Sequence, residues 1–202
     1  MSLYQAKLRI ENSKRLHLEK KGIRVFAVAE SCARGRAHSA LAGIVMRKDW
    51  VIDGVVLGKA TREGLDATDV ILSMYQALDR TDINFVMLDG LIISMYNIIE
   101  PARIVSSARI PVVAVTFRPS KGLEKIIRDR FPDSDRRLEI YHTLGVRDKI
   151  TLDTGKQVYI RYWGLDLKQA QKVTNRFNLQ GALPEPIRVA KLVARSYSHA
   201  LK

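Results

Sequence analysis

Short apolar runs alternate with polar turns along this chain, and the spacing of the apolar positions changes from segment to segment. Arg24-Val25-Phe26-Ala27-Val28-Ala29 is an almost unbroken apolar stretch that stops at Glu30, the pattern of a buried strand ended by a charge. Leu41 to Met46 and Val51 to Leu57 read as two more strands, and the polar turn Arg47-Lys48-Asp49 between them predicts a hairpin. Residues 1–22, closed by Lys20-Lys21-Gly22, are polar and basic and predict an arm or short helix before the core. After Gly64-Leu65-Asp66-Ala67-Thr68-Asp69 the spacing becomes helical, with Val70, Ile71, Met74, Ala77 and Leu78 sharing one face.

Phe85-Val86-Met87-Leu88-Asp89-Gly90 returns to the strand pattern and ends in a carboxylate and a glycine. Charged residues are seldom left inside such strands unpaired, and open α/β sheets place ligands at the carboxyl ends of their strands. Asn97-Ile98-Ile99-Glu100 predicts a capping box for a second helix. Ile110 to Val115 is a further strand, and the basic stretch from Ser120 to Arg130 and the segment from Asp133 to Leu144 read as helices. Lys149-Ile150-Thr151-Leu152 and Gln157 to Trp163 flank Asp153-Thr154-Gly155 as a hairpin. Asp166 to Gln169 caps another helix, and Leu183-Pro184-Glu185-Pro186 opens the last. This order predicts one α/β domain over residues 1–202. Its layout is RNase H-like: a mixed five-stranded sheet with helices on both faces, plus a C-terminal hairpin and helices.

Composition narrows the function classes. A chain of 202 residues with 47% hydrophobic and 27% charged residues is that of an ordinary globular domain. A formal charge of +13 and a pI near 10 are not ordinary, and they point to a polyanionic partner, nucleic acid first, or to a general basic bias of the source. The single cysteine, Cys32, excludes a disulfide framework, and a reducing, cytoplasmic setting is expected. Neither a signal peptide nor a membrane-spanning run is expected. His17, His38, His142 and His199 show no metal-ligand spacing, and no Gly-rich phosphate loop is present. Trp50 and Trp163 flank strands and read as core residues rather than base-stacking platforms.

Gly64-Leu65-Asp66-Ala67-Thr68, Met87-Leu88-Asp89-Gly90 and Leu183-Pro184-Glu185-Pro186-Ile187-Arg188-Val189-Ala190 resemble archaeal domain-of-unknown-function family ninety-nine, a relative of endonuclease V. The likeness runs from about Ile23 to Ser198. It implies a magnesium site, with manganese as a substitute, in which carboxylates hydrolyse a phosphodiester. Asp89 would be the central acid, Asp66 the second and Glu30 the first, the same three serving as metal ligands. Asp69 and Glu63 are further candidates for the second. This sequence departs from the pattern at strand one, where relatives read Gly-Ile-Asp-Asp and this chain reads Ala27-Val28-Ala29-Glu30. Adjacent strand residues face opposite sides, so Glu30 can replace the missing aspartate only if the strand is already ending. The duplex-parting wedge of endonuclease V has no counterpart in Ala60-Thr61-Arg62.

Hydrolysis of this kind needs several hard oxygen ligands gathered together. From spacing alone, Asp66 and Asp69 serve equally well as helix caps. The basic residues expected to meet DNA or RNA are Arg34 and Arg36 in the first loop, Arg118 and Lys121, and Arg188 and Lys191 on the last helix. Two alternatives stay open: a non-catalytic binding module on the same scaffold, and a protein-interaction scaffold whose acids only cap helices. Self-association also stays open.

Overall fold

A computed structural model describes residues 22–33 and 35–200. The basic arm expected over 1–22, except Gly22, and the candidate Arg34 lie outside the described residues. Strands β1 (Arg24–Ser31), β2 (His38–Arg47) and β3 (Ile52–Thr61) form an antiparallel meander. Helix α1 (Ala67–Ala77) then leads to β4 (Phe85–Asp89), and a two-rung ladder, β5 (Ile92–Ile93) with β6 (Asn97–Ile98), leads to α2 (Pro101–Ala108). After β7 (Val112–Thr116) come α3 (Glu124–Arg130), α4 (Ser134–Thr143), β8 (Asp148–Thr151), β9 (Gln157–Trp163), α5 (Leu167–Arg176) and α6 (Glu185–Ala200). None of these helices is long and apolar enough to cross a membrane.

The main sheet runs β3-β2-β1-β4-β7-β9-β8. Its centre, β1, β4 and β7, is parallel, and its flanks are antiparallel. The succession of elements and the mixed sense of the sheet agree with the layout expected from the sequence, but the sheet has seven strands rather than five. The hairpin expected as an addition lies instead on the free edge of β7, with Ala114 opposite Arg161. The reason is burial: Val158 and Ile160 point into the same apolar layer as Val113 and Val115, and an unpaired β7 would leave a central edge open.

Alternation along the strands sends side chains to two separate cores. Phe26, Val28, Val86 and Leu88 pack beneath α1, α2 and α4, whereas Val25, Ala27, Ala29, Phe85 and Met87 pack beneath α5 and α6. Each strand thereby offers one residue to each face in turn. Gly43 of β2 is required by this packing, because a Cβ there would stand 2.3 Å from the Phe26 ring.

The helix starts are partly as expected. Asp166 accepts from Gln169 N at 2.7 Å while Gln169 returns a side-chain acceptor to Asp166 N at 3.0 Å, a complete capping box for α5. Asn97 does not cap α2. It pairs in β6, and Glu100 takes the cap position ahead of Pro101 without a side-chain bond. The Asn97 side chain turns to α1 and accepts from Ala67 N at 3.1 Å.

Candidate functional site

Three parallel strands bring their carboxyl ends to one edge. Glu30 lies near the end of β1, Asp89 ends β4 and Thr116 ends β7. Parallel pairing sets Ala27 against Met87 and Val28 against Leu88, so the next step along the register brings Ala29 beside Asp89. Both follow the side-chain alternation toward α6, where Ala29 packs near Ile187 and Ala190 and Asp89 meets Lys191. The ammonium Nζ of Lys191 stands 2.9 Å from Asp89 Oδ2, and the Asp89 side chain is only 15% exposed. Burial pushes the Asp89 carboxyl above its ordinary range, and the bond and charge of Lys191 offset part of that rise.

Glu30 leaves the sheet on the opposite face. Its Oε2 accepts the backbone N–H of Ser94 at 2.8 Å. Burial raises this carboxyl too, and the nearby charge of Asp89 adds to the rise. The Ser94 N–H opposes it, as do the hydroxyls of Ser39 and Ser94, which reach no partner at full hydrogen-bond geometry. Ser94, Met95 and Tyr96 all adopt positive φ, at 47°, 56° and 74°, a conformation that costs non-glycine residues about 1–3 kcal/mol each. Glu30 therefore holds a strained turn. Ser94 O also accepts from Glu63 N at 2.7 Å, and Tyr96 O accepts from Arg137 at 3.2 Å.

Asp66 belongs to a third network. Its carboxylate accepts from Thr61 N at 3.1 Å, from Thr61 Oγ1 at 2.6 Å and from Asn97 Nδ2 at 2.6 Å. Burial alone would raise its pKa, but these donors outweigh it and hold the carboxyl below the usual range. It makes no side-chain cap to its own helix. Of the other acids, Asp69 pairs with Arg103 at 2.5 Å and Glu63 pairs with Arg130.

These residues do not fit a divalent-cation site of the kind the resemblance implies. Such an ion takes about six oxygen ligands, with more than one carboxylate among them where waters are few. At this edge Asp89 is already bound to an ammonium, Ala29 brings no oxygen, and Glu30 and Asp66 are directed into other networks. Among the described residues, no group of three His, Cys, Asp or Glu side chains could hold a metal ion.

Asp89 also lines a groove of about 430 Å³ with Thr116, Ser120, Arg147, Tyr159 and Arg161. Arg147 donates to Thr116 Oγ1 at 3.3 Å and to Arg118 O at 3.0 Å, and its guanidinium lies 5.0 Å from the Tyr159 ring centre. Arg161 donates twice to Gly145 O, at 3.0 and 2.9 Å. Both guanidiniums thus rest on neutral oxygens. Burial and the charge of Arg147 make protonation of Arg161 less favourable than usual, so an anion arriving here would relieve two neighbouring cations.

The expected basic residues divide around this groove. Arg118 and Lys121 are exposed in the β7–α3 connection that forms its rim, and Arg36 lies in the β1–β2 connection. Arg188 is engaged with Glu185 on its own helix, Nε to Oε2 at 2.7 Å. Arg147 and Arg161 were not among the sequence candidates. The available signal was Arg161 itself, an arginine between Tyr159 and Trp163 on a strand face that alternation leaves half-buried.

A family model described as endonuclease dU matches residues 21–198. A UPF0215 protein of Pyrobaculum calidifontis is 34% identical over 169 residues, which cover 83% of this chain and 93% of the relative. Among solved structures, a protein of unknown function from Archaeoglobus fulgidus superposes with a TM-score of 0.75 at 24% identity, covering 88% of this chain and 99% of that one. Endonuclease V of Ciona intestinalis, in complex with a 24mer DNA containing an inosine followed by a ribo-adenosine, superposes with a TM-score of 0.61 at 13% identity, covering 90% and 88%.

Proposed function

Because the chain belongs to the endonuclease dU family, we propose that it is a nucleic-acid-binding protein that seats backbone phosphates at the carboxyl edge of its sheet. The observation that carries this reading is the groove in which Arg147 and Arg161, which donate to neutral oxygens, stand near Asp89. Two guanidiniums with spare donors match phosphate geometry. Arg118 and Lys121 on the rim extend the positive surface, and the chain's charge of +13 favours encounter with any polyanion. A solved endonuclease V with the same fold binds inosine-containing DNA, which supports DNA or RNA as the ligand class.

Fluorescence anisotropy with single-stranded, duplex, deoxyuridine- and inosine-containing oligonucleotides tests the reading. Binding should weaken as salt rises, and Arg147→Ala or Arg161→Ala should each lower the slope of log affinity against log salt by about one. Salt-insensitive binding, or variants indistinguishable from the parent, would refute it.

A second reading, hydrolysis of the bound strand, rests on the place of Asp89 at the end of β4, with Asp66 and Glu30 as the accompanying acids. Cleavage that requires magnesium or manganese and disappears in Asp89→Asn would establish it. The displacement of Glu30 and Asp66 into separate networks favours binding without turnover.

A further inference from the structure

Lys191 occupies an unusual place for a residue that helical spacing puts in a basic row. From α6 its ammonium reaches back to the sheet, 2.9 Å from Asp89 Oδ2 and 5.6 Å from the Phe117 ring centre. Carboxylate and aromatic face together hold it in place. Its side chain remains 37% exposed, so it is not closed off from solvent. An ammonium has three donors, and at most one is spent on Asp89 Oδ2.

The neighbouring position on β1 is Ala29, whose methyl faces the same side of the sheet as Asp89. A divalent ion is held more firmly at such an edge when both strands supply an oxygen. One strand supplies none, and the oxygen of the other is bound to a positive charge that would repel the ion at short range. The alanine and the lysine fit together electrostatically. An aspartate at position 29 would leave two carboxylates facing one ammonium, whereas alanine leaves a neutral pair.

Resting on the nucleic-acid reading above, we infer that Lys191 is a built-in cation, which neutralises Asp89 and offers its remaining donors to a backbone phosphate. The chain then binds nucleic acid without any divalent ion and does not cleave it. Lys191 is a ligand-binding residue in this scheme, and Asp89 is the group that positions it. The bare carboxylate that would otherwise repel phosphate at the strand end is masked permanently.

Anisotropy with one oligonucleotide in EDTA and in magnesium at matched ionic strength tests this for the parent, Lys191→Met and Lys191→Arg. Manganese uptake by the protein alone is followed by electron paramagnetic resonance. The parent should gain no affinity from magnesium and should take up no manganese. Lys191→Met should bind about tenfold more weakly in EDTA, with part of the loss restored by magnesium, and Lys191→Arg should retain most of the affinity. The double variant Ala29→Asp/Lys191→Met should take up manganese that the parent does not. A parent that needs magnesium to bind, or that takes up manganese itself, overturns the built-in cation while leaving the binding function intact. A parent that binds no oligonucleotide in either condition removes the binding function as well. Should Lys191→Met fail to fold, the parent's response to EDTA and manganese still decides the question.

Discussion

Asn97 is uncharged and fully buried, and it ties three segments together. It accepts from Ala67 N, donates to Thr61 O at 2.9 Å, and donates to Asp66 at 2.6 Å. Asn97→Ala would remove the cap of α1 and leave the Thr61 carbonyl and Asp66 short of a donor. A loss of about 2–3 kcal/mol is expected in urea denaturation. Asp89 and Glu30 show a different kind of coupling at the same scale. They diverge to opposite faces, yet the charge of Asp89 adds to the rise that burial imposes on the Glu30 carboxyl. Asp89→Asn should therefore bring the Glu30 pKa down toward its ordinary value of 4.5, which a carbon-13 NMR titration of the carboxyl would read directly. No change would mean that the two acids do not sense each other.

Among the elements, the turn from Ser94 to Tyr96 and the segment at Glu63 and Gly64 depend on α4. Arg137 of that helix is buried, donates to Glu63 O at 2.7 Å, Gly64 O at 3.1 Å and Tyr96 O at 3.2 Å, and lies 4.1 Å from the Phe131 ring centre. Arg137→Met keeps the stem but loses these donors. A destabilisation of about 2–4 kcal/mol should follow, with faster amide exchange at residues 94–96. For α5, Asp166→Ala should cost about 1 kcal/mol of stability by thermal melting, because the complete capping box would lose its acceptor. That box was legible in the sequence, since donor and acceptor lie three residues apart. The Asn97 box was not, because the β5–β6 pairing that diverts it involves Ile92 and Ile93, outside the four-residue window.

At the scale of the whole molecule, a cluster at the amino end of the sheet joins three separate parts of the chain. Arg24 of β1 and Arg80 after α1 share Asp53 of β3, at 2.8 and 3.0 Å, and Arg80 also holds Asp82 at 2.9 Å. Burial would raise Asp53, but the two guanidiniums outweigh it; for Asp82 the Arg80 bond dominates, and both carboxyls fall below their ordinary value of 3.8. A carboxyl lowered in the folded state adds stability that is present above its unfolded pKa and is lost as pH falls through the folded one. Urea midpoints followed from about pH 6 to about pH 2 should therefore drop, and Asp53→Asn should flatten that drop. Glu30 and Asp89 act with the opposite sign, because a raised carboxyl contributes most when protonated and its contribution fades as pH rises through the folded value. If Asp53→Asn leaves the acid limb unchanged, the cluster does not contribute.

Most strand and helix positions, the hairpins and the likeness to endonuclease V could be read from the chain, because periodicity, turn residues and short motifs are encoded over a few neighbouring positions. Asp89 at a strand end, and Ala29 just before Glu30 at another, were equally visible. What lay beyond that reach depends on contacts between distant segments. The hairpin's docking on β7, the meeting of Arg147 and Arg161 in one groove, the capture of Asp66 by Thr61 and Asn97, and the approach of Lys191 to Asp89 all follow from packing. A lysine at helical spacing looks the same in sequence whether it faces solvent or a carboxylate. The docking of α6 across the parallel strands is what brings its charge to Asp89.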